Sequence, residues 1–170
     1  HQARYWSNIV TIRPPCGGHA ARYGSNLAGL GRNNTHQVIP FIEKLAHHPK
    51  ILDVVQSIIG PNILVAGTTL FIKEPEQAGF ISWHQDAKCN GLKAYNWVTA
   101  WIAVTDSNEE NGCMRMWPKS HIELKDHNQK FNEGNLLTRG QTVEGVPENE
   151  IKSIELKAGQ MSLHLSLIHI

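Results

Sequence analysis

At 170 residues the chain is long enough for one domain with a real core. Its 41% hydrophobic and 18% charged content is that of an ordinary globular protein and excludes a disordered one. The 16 Lys plus Arg against 15 Asp plus Glu leave a net charge of +1, which gives no support for nucleic acid or a membrane surface as partner.

Residues 1–37 are polar and irregular, with Pro14-Pro15, Gly17-Gly18, Gly29, Gly31 and Asn33-Asn34, and are predicted to be loop and turn material covering a cleft. From Val38 to His48 the apolar positions Ile39, Ile42, Leu45 and Ala46 recur at helical spacing. Pro49 suits a helix start. A second helix is predicted over Lys50–Ile59, with Ile51, Leu52, Val55, Ile58 and Ile59 on one broad face and Gly60-Pro61 ending it. His47-His48 falls where a helix dipole favours cations, which gives the pair a structural explanation.

Beyond Pro61 the period changes from helical to extended. Ile63–Lys73, Phe80–Asp86, Trp97–Thr105 and Cys113–Trp117 are rich in β-branched and aromatic residues and are predicted strands. The stretch from Asp106 to Gly112 separates the last two and is dense in turn formers, Asn111-Gly112 being a turn signal rather than chemistry. A further strand pair is predicted at Ile151–Leu156 and Met161–Ile170, joined by Lys157-Ala158-Gly159-Gln160. Residues 118–150 between them are long, polar and aperiodic, as functional loops are. Two helices followed by many short strands predict a mainly β single domain over residues 1–170, a sandwich or jelly roll with helices 38–60 on one side of a β core at 62–170.

No run approaches the roughly 18 apolar residues a membrane span requires, and no secretory signal pattern opens the chain. Cys16, Cys89 and Cys113 are odd in number and scattered, which argues against a disulfide scaffold and for a reducing compartment. A monomeric cytoplasmic protein acting on a small molecule is the expectation. The chain opens on His1 and closes at Ile170 inside an apolar run, and reads as a fragment truncated at both ends.

The chemistry concentrates in Ser82-Trp83-His84-Gln85-Asp86. On an extended strand residues two apart project to one face, so His84 and Asp86 can offer a nitrogen and an oxygen to one point while Gln85 turns away. A third donor from a neighbouring strand, for which His169 is the candidate, would complete two imidazoles and one carboxylate on one side of a metal. That facial set leaves positions open and is the arrangement of non-haem Fe(II) oxygenases. A His-x-Asp tripeptide alone also occurs as ordinary surface polarity on a strand. His121 reads as a loop-turning residue, and Trp83 and Trp97 as core. Cys89 would suit zinc better than an oxygenase.

Several segments then line up in order. They are Phe71-Ile72-Lys73-Glu74-Pro75, Trp83-His84-Gln85-Asp86, Val98 to Val104, Glu110-Asn111-Gly112-Cys113-Met114, Pro118-Lys119-Ser120-His121, Asn135-Leu136-Leu137 with Gly140-Gln141, and Leu156 to Gln160 leading into Leu163-His164 and Ile168-His169. This series resembles the phytanoyl-CoA dioxygenase family, Fe(II)- and 2-oxoglutarate-dependent oxygenases built on a double-stranded β-helix. The resemblance runs from about the second helix to the end. It implies that His84 and Asp86 are the first two iron ligands and His169 the distal one. Gln85 and Trp101, with Thr69 and Lys73, match positions near the 2-oxoglutarate pocket. The family's carboxylate-binding arginine, whose planar fork grips 2-oxoglutarate, would fall past Ile170. Lys88-Cys89-Asn90 and Lys119 depart from the family on the substrate side. Leu165 to Ile170 also resembles a translated sequencing adaptor, and on that reading His164 is the rival distal donor; strand alternation points it opposite to His169.

The implied function is hydroxylation of a small or lipid-like substrate with dioxygen, 2-oxoglutarate giving succinate and carbon dioxide. The rivals are a non-catalytic jelly-roll binding module, or inactive fragment lacking that arginine, and a zinc hydrolase, for which no nucleophile and base are in evidence.

Overall fold

The structure, a computed structural model, describes residues 5–13, 31–73, 80–87, 97–129, 135, 137 and 142–165. Strands dominate. In chain order the elements are β1 (Tyr5–Arg13), β2 (Gly31–Asn33), α1 (Pro40–Ala46), α2 (Pro49–Ile59), β3 (Leu64–Lys73), β4 (Val98–Ala103), β5 (Met114–Met116), β6 (Lys152–Ile154) and β7 (Met161–Leu165). Among the described residues no helix is long and apolar enough to cross a membrane.

Both helices form where periodicity and punctuation place them. Pro40 and Pro49 occupy the first turns, where a missing N–H costs no hydrogen bond and φ is already near helical. His47 Nδ1 donates to the Glu43 carbonyl at the end of α1 (2.9 Å), in keeping with the end-of-helix reading. His48 serves the next helix instead: its Nδ1 accepts from the Lys50 backbone N–H at 3.2 Å, capping α2. Gly60 ends α2 at φ 87°, a backbone conformation that favours glycine.

The strands form a five-stranded sheet in the order β2-β3-β1-β4-β7 and a separate β5-β6 pair, with antiparallel ladders throughout. All six residues of β4 are buried. One reason is the helical layer: Ala46, Ile51 and Val55 pack against Val98, Ala100 and Ile102, with Leu163 and Leu165 of β7 alongside. The alternate residues Thr99, Trp101 and Ala103 project to the other face, and that face carries the site.

Three sequence expectations are corrected. Residues 5–13 lie inside the segment predicted to be irregular, yet they form the central β1, paired with β3 on one side and β4 on the other. Tyr5, Trp6, Ile9, Val10, Thr11 and Ile12 supply the β-branched and aromatic content, and Pro14-Pro15 cannot continue a ladder. Phe80–Asp86 is not a strand: Phe80 makes an isolated bridge to Asn135, residues 81–85 are irregular, and Asp86-Ala87 begins a turn of helix. Finally, β6 and β7 do not pair with each other. β6 joins β5 and β7 joins β4, because the turn between them is drawn to the end of β4. Asp106 accepts from the Ala158 N–H and from Lys157 Nζ, both at 2.9 Å, and the Gly159 N–H donates to the Ala103 carbonyl at 2.7 Å. Residues 166–170 of the predicted last strand lie outside the described residues.

Candidate functional site

The His-x-Asp segment has no ladder of its own, so its shape is imposed from elsewhere in the chain. Asn135 Nδ2 donates to Ser82 Oγ at 2.9 Å, and the Ser82 N–H reaches Asn135 Oδ1 at 3.4 Å. The Val143 N–H donates to the Trp83 carbonyl at 2.7 Å. The Arg115 guanidinium lies 5.4 Å from the Trp83 ring centroid, a cation–π contact. Gln85 is fully buried at 0% exposure. Its N–H donates to His127 Nε2 (2.9 Å), its carboxamide Nε2 donates to the Glu123 carbonyl (3.0 Å), and its Oε1 accepts from the Lys125 N–H (2.9 Å).

Held this way, the chain turns His84 and Asp86 toward each other. His84 Nε2 lies 3.2 Å from Asp86 Oδ1, while His84 Nδ1 lies 2.9 Å from the Ser82 carbonyl oxygen. A carbonyl only accepts, so Nδ1 carries the hydrogen and Nε2 of the neutral ring presents its lone pair to a carboxylate. Two acceptors at that distance require a cation between or beside them. Burial opposes charge on His84, but the hydrogen bond and charge of Asp86 outweigh it and raise the imidazole above its ordinary value. Asp86 is likewise opposed by burial, yet His84, His164 and the Thr99 hydroxyl hold its carboxyl below the usual range. Thr99 Oγ1 donates to Asp86 Oδ2 at 3.2 Å, fixing the second carboxylate oxygen.

The next imidazole on this face belongs to His164, in register with Thr99 across the β4-β7 ladder. Its Nε2 is 3.9 Å from Asp86 Oδ2. Both its ring nitrogens are buried and without a hydrogen-bond partner among the described residues. Burial drives its pKa down to about 4 against the attraction of Asp86, so the ring is neutral at neutral pH and one nitrogen keeps a lone pair. Two donors fit one side of a divalent cation, Nε2 of His84 and Oδ1 of Asp86, with the His164 ring beside them. Among the described residues no three His, Cys, Asp or Glu side chains converge into a complete metal-holding set.

The other predicted residues separate. Trp101 is in register with Ser162 of β7, and with Thr69 of β3 through Ile9, so Trp101 and Thr69 share the sheet face that carries Thr99 and His164, one pleat along. Lys73 ends β3 in register with Tyr5, six residues beyond the Thr99 row, roughly 20 Å at strand rise; its side chain lies outside the described residues. Gln85, matched to the co-substrate pocket by resemblance, has both ends of its carboxamide engaged by the 123–125 backbone. His121 is exposed on a single 3-10 turn. His169 and Cys89 lie outside the described residues. Sequence reasoning passed over Thr99 and His127. Thr99 carries a faint signal, a polar residue in an otherwise apolar strand; His127 carries none beyond being a histidine in a long loop.

Comparison with known proteins adds an independent line. The profile of the phytanoyl-CoA dioxygenase (PhyH) family matches residues 25–169. The chain is 35% identical over 88 residues to a phytanoyl-CoA dioxygenase domain-containing protein 1 of Rattus norvegicus, covering 51% of this chain and 30% of that protein. It is 27% identical over 136 residues to a phytanoyl-CoA dioxygenase of Arabidopsis thaliana, covering 79% of the chain and 47% of the relative. It is also 27% identical over 134 residues to a probable alpha-ketoglutarate-dependent hypophosphite dioxygenase of Stutzerimonas stutzeri, covering 77% and 46%. The chain thus spans less than half the length of each of these relatives. No solved structure matches.

Proposed function

This chain belongs to the phytanoyl-CoA dioxygenase family, and from that premise we propose that it is the iron-binding part of an Fe(II)- and 2-oxoglutarate-dependent dioxygenase, built on a double-stranded β-helix and hydroxylating a small or lipid-like organic substrate. The observation that carries the reading is the 3.2 Å approach of His84 Nε2 to Asp86 Oδ1 while His84 Nδ1 is committed to the Ser82 carbonyl. His84 and Asp86 hold Fe(II), and His169 completes the set in the family pattern. Fe(II), once bound, supplies the redox centre at which dioxygen and the keto-acid end of 2-oxoglutarate react.

The chain's own part is geometric and electrostatic. The Ser82 carbonyl fixes the His84 tautomer, and the Thr99 hydroxyl keeps Asp86 from rotating away. Burial of His84, Thr99, Trp101 and His164 keeps the inner wall dry. Trp101 and Thr69, on the same face, border the space for the co-substrate. His164 neighbours the metal position without being required to hold it.

The test is anaerobic titration of the purified protein with Fe(II) and 2-oxoglutarate, watching for the metal-to-ligand charge-transfer band. Absence of the band from protein that carries the family's carboxylate-binding arginine sinks the oxygenase reading and leaves the binding-module alternative. Asp86→Ala and His169→Ala should each lose stoichiometric iron while circular dichroism stays native, and His164→Ala should retain it. Iron kept by Asp86→Ala would refute the assignment of that carboxylate.

A further inference from the structure

A half-buried imidazole more than forty positions downstream grips the ligand-bearing segment by its backbone. Resting on the iron-site reading above, we infer that His127 is a positioning residue of the metal centre, acting through the Gln85 amide that lies between the two candidate ligands. His127 Nδ1 sits 2.9 Å from the Lys125 carbonyl oxygen, and because a carbonyl only accepts, Nδ1 carries the hydrogen. Nε2 is therefore the acceptor, and it takes the Gln85 N–H at 2.9 Å. The ring is a rigid strut between two backbone groups, one of them the peptide joining His84 to Gln85.

The Gln85 side chain closes the same connection from the other side. Its carboxamide bonds the Glu123 carbonyl and the Lys125 N–H, so three hydrogen bonds join residue 85 to a five-residue arc. With residues 81–85 outside any ladder, these bonds substitute for the strand pairing that would otherwise set the angle between His84 and Asp86. The short side chains of His84 and Asp86 cannot correct a misdirected backbone, so loss of the strut is felt first as loosened geometry at the two donor atoms. The polar 118–129 stretch then works as a splint for the metal centre rather than as a cover over it.

The experiment measures binding of Fe(II) alone, without 2-oxoglutarate, under anaerobic conditions, so that no co-substrate contact enters. His127→Leu keeps the bulk and removes the acceptor; His127→Gln returns an acceptor near the Nε2 position. Expected results are Fe(II) affinity weakened roughly 10- to 100-fold in the leucine variant, and largely restored in the glutamine variant. Val55→Ala, a core change in α2, controls for general loss of stability and should leave the affinity untouched. If His127→Leu does not fold, Gln85→Met tests the same connection and should weaken Fe(II) in the same range. Wild-type affinity in His127→Leu, with His84→Ala defective, overturns this inference and spares the iron site. Undiminished binding in His84→Ala overturns both.

Discussion

Thr99 shows how one hydroxyl can decide a site. It is 1% exposed in the middle of an apolar strand, and it donates to Asp86 Oδ2 rather than to backbone. Thr99→Val preserves the shape and deletes the donor. The fold should lose about 1 kcal/mol, the net worth of one buried hydrogen bond. Fe(II) affinity should fall about tenfold, since second-sphere partners of metal ligands typically matter at that level. Chemical denaturation and iron titration read the two effects separately; unchanged affinity would show that Asp86 is held by its other neighbours. His164 poses a different problem at the same scale. A neutral imidazole with both nitrogens buried and unpartnered among the described residues carries a desolvation cost. A bound cation or a polar co-substrate on that face offers such groups the partner they lack.

Among the elements, the turn between β6 and β7 depends most on a single charge. Asp106 accepts from the Ala158 N–H and Lys157 Nζ, and these two contacts hold its carboxyl below the usual range. A carboxyl depressed in the folded state stabilises above its unfolded pKa, and that contribution disappears as pH falls through the lower folded value. Asp106→Asn should therefore melt earlier than wild type at pH 6, and the gap should narrow on acidification below about pH 4. A gap that persists unchanged to pH 2.5 would mean that Asp106 acts through shape and not charge. Because this turn separates β6 from β7, its loosening should also disturb the end of β4 that it is bonded to.

The whole molecule should respond to metal as a unit. At Fe(II) one hundred times above its dissociation constant, binding to the folded state adds about 2.7 kcal/mol, or roughly 5–10 °C in melting temperature for a chain of this size. A chelator should reverse the rise, and Asp86→Ala should not show it. How much of this was legible beforehand follows from where the information sits. The two helices were readable because Pro49 and Gly60 punctuate them locally, and β3 and β4 because their composition is unambiguous. The approach of His84 to Asp86 was readable because both donors fall within three residues. The shape of the segment bearing them was not, since it is dictated by Asn135, Val143 and the arc around Lys125, which no periodicity within 80–86 can reveal. Strand neighbours were illegible for the same reason: β6 and β7 look like a hairpin in sequence, and the attachment of their turn to Asp106 and Ala103 separates them.

The central place of β1 has a consequence for how the protein comes into being. Synthesis delivers this strand before β3 and β4, yet the register seats Tyr5 against Lys73 and Ser7 against Ala103, residues that leave the ribosome much later. Until then both flanks of an apolar ribbon stand open to stray pairing. Nascent chains stalled before Ala103 should be the aggregation-prone species, and chaperone demand should fall once β4 has emerged to zip the middle of the sheet.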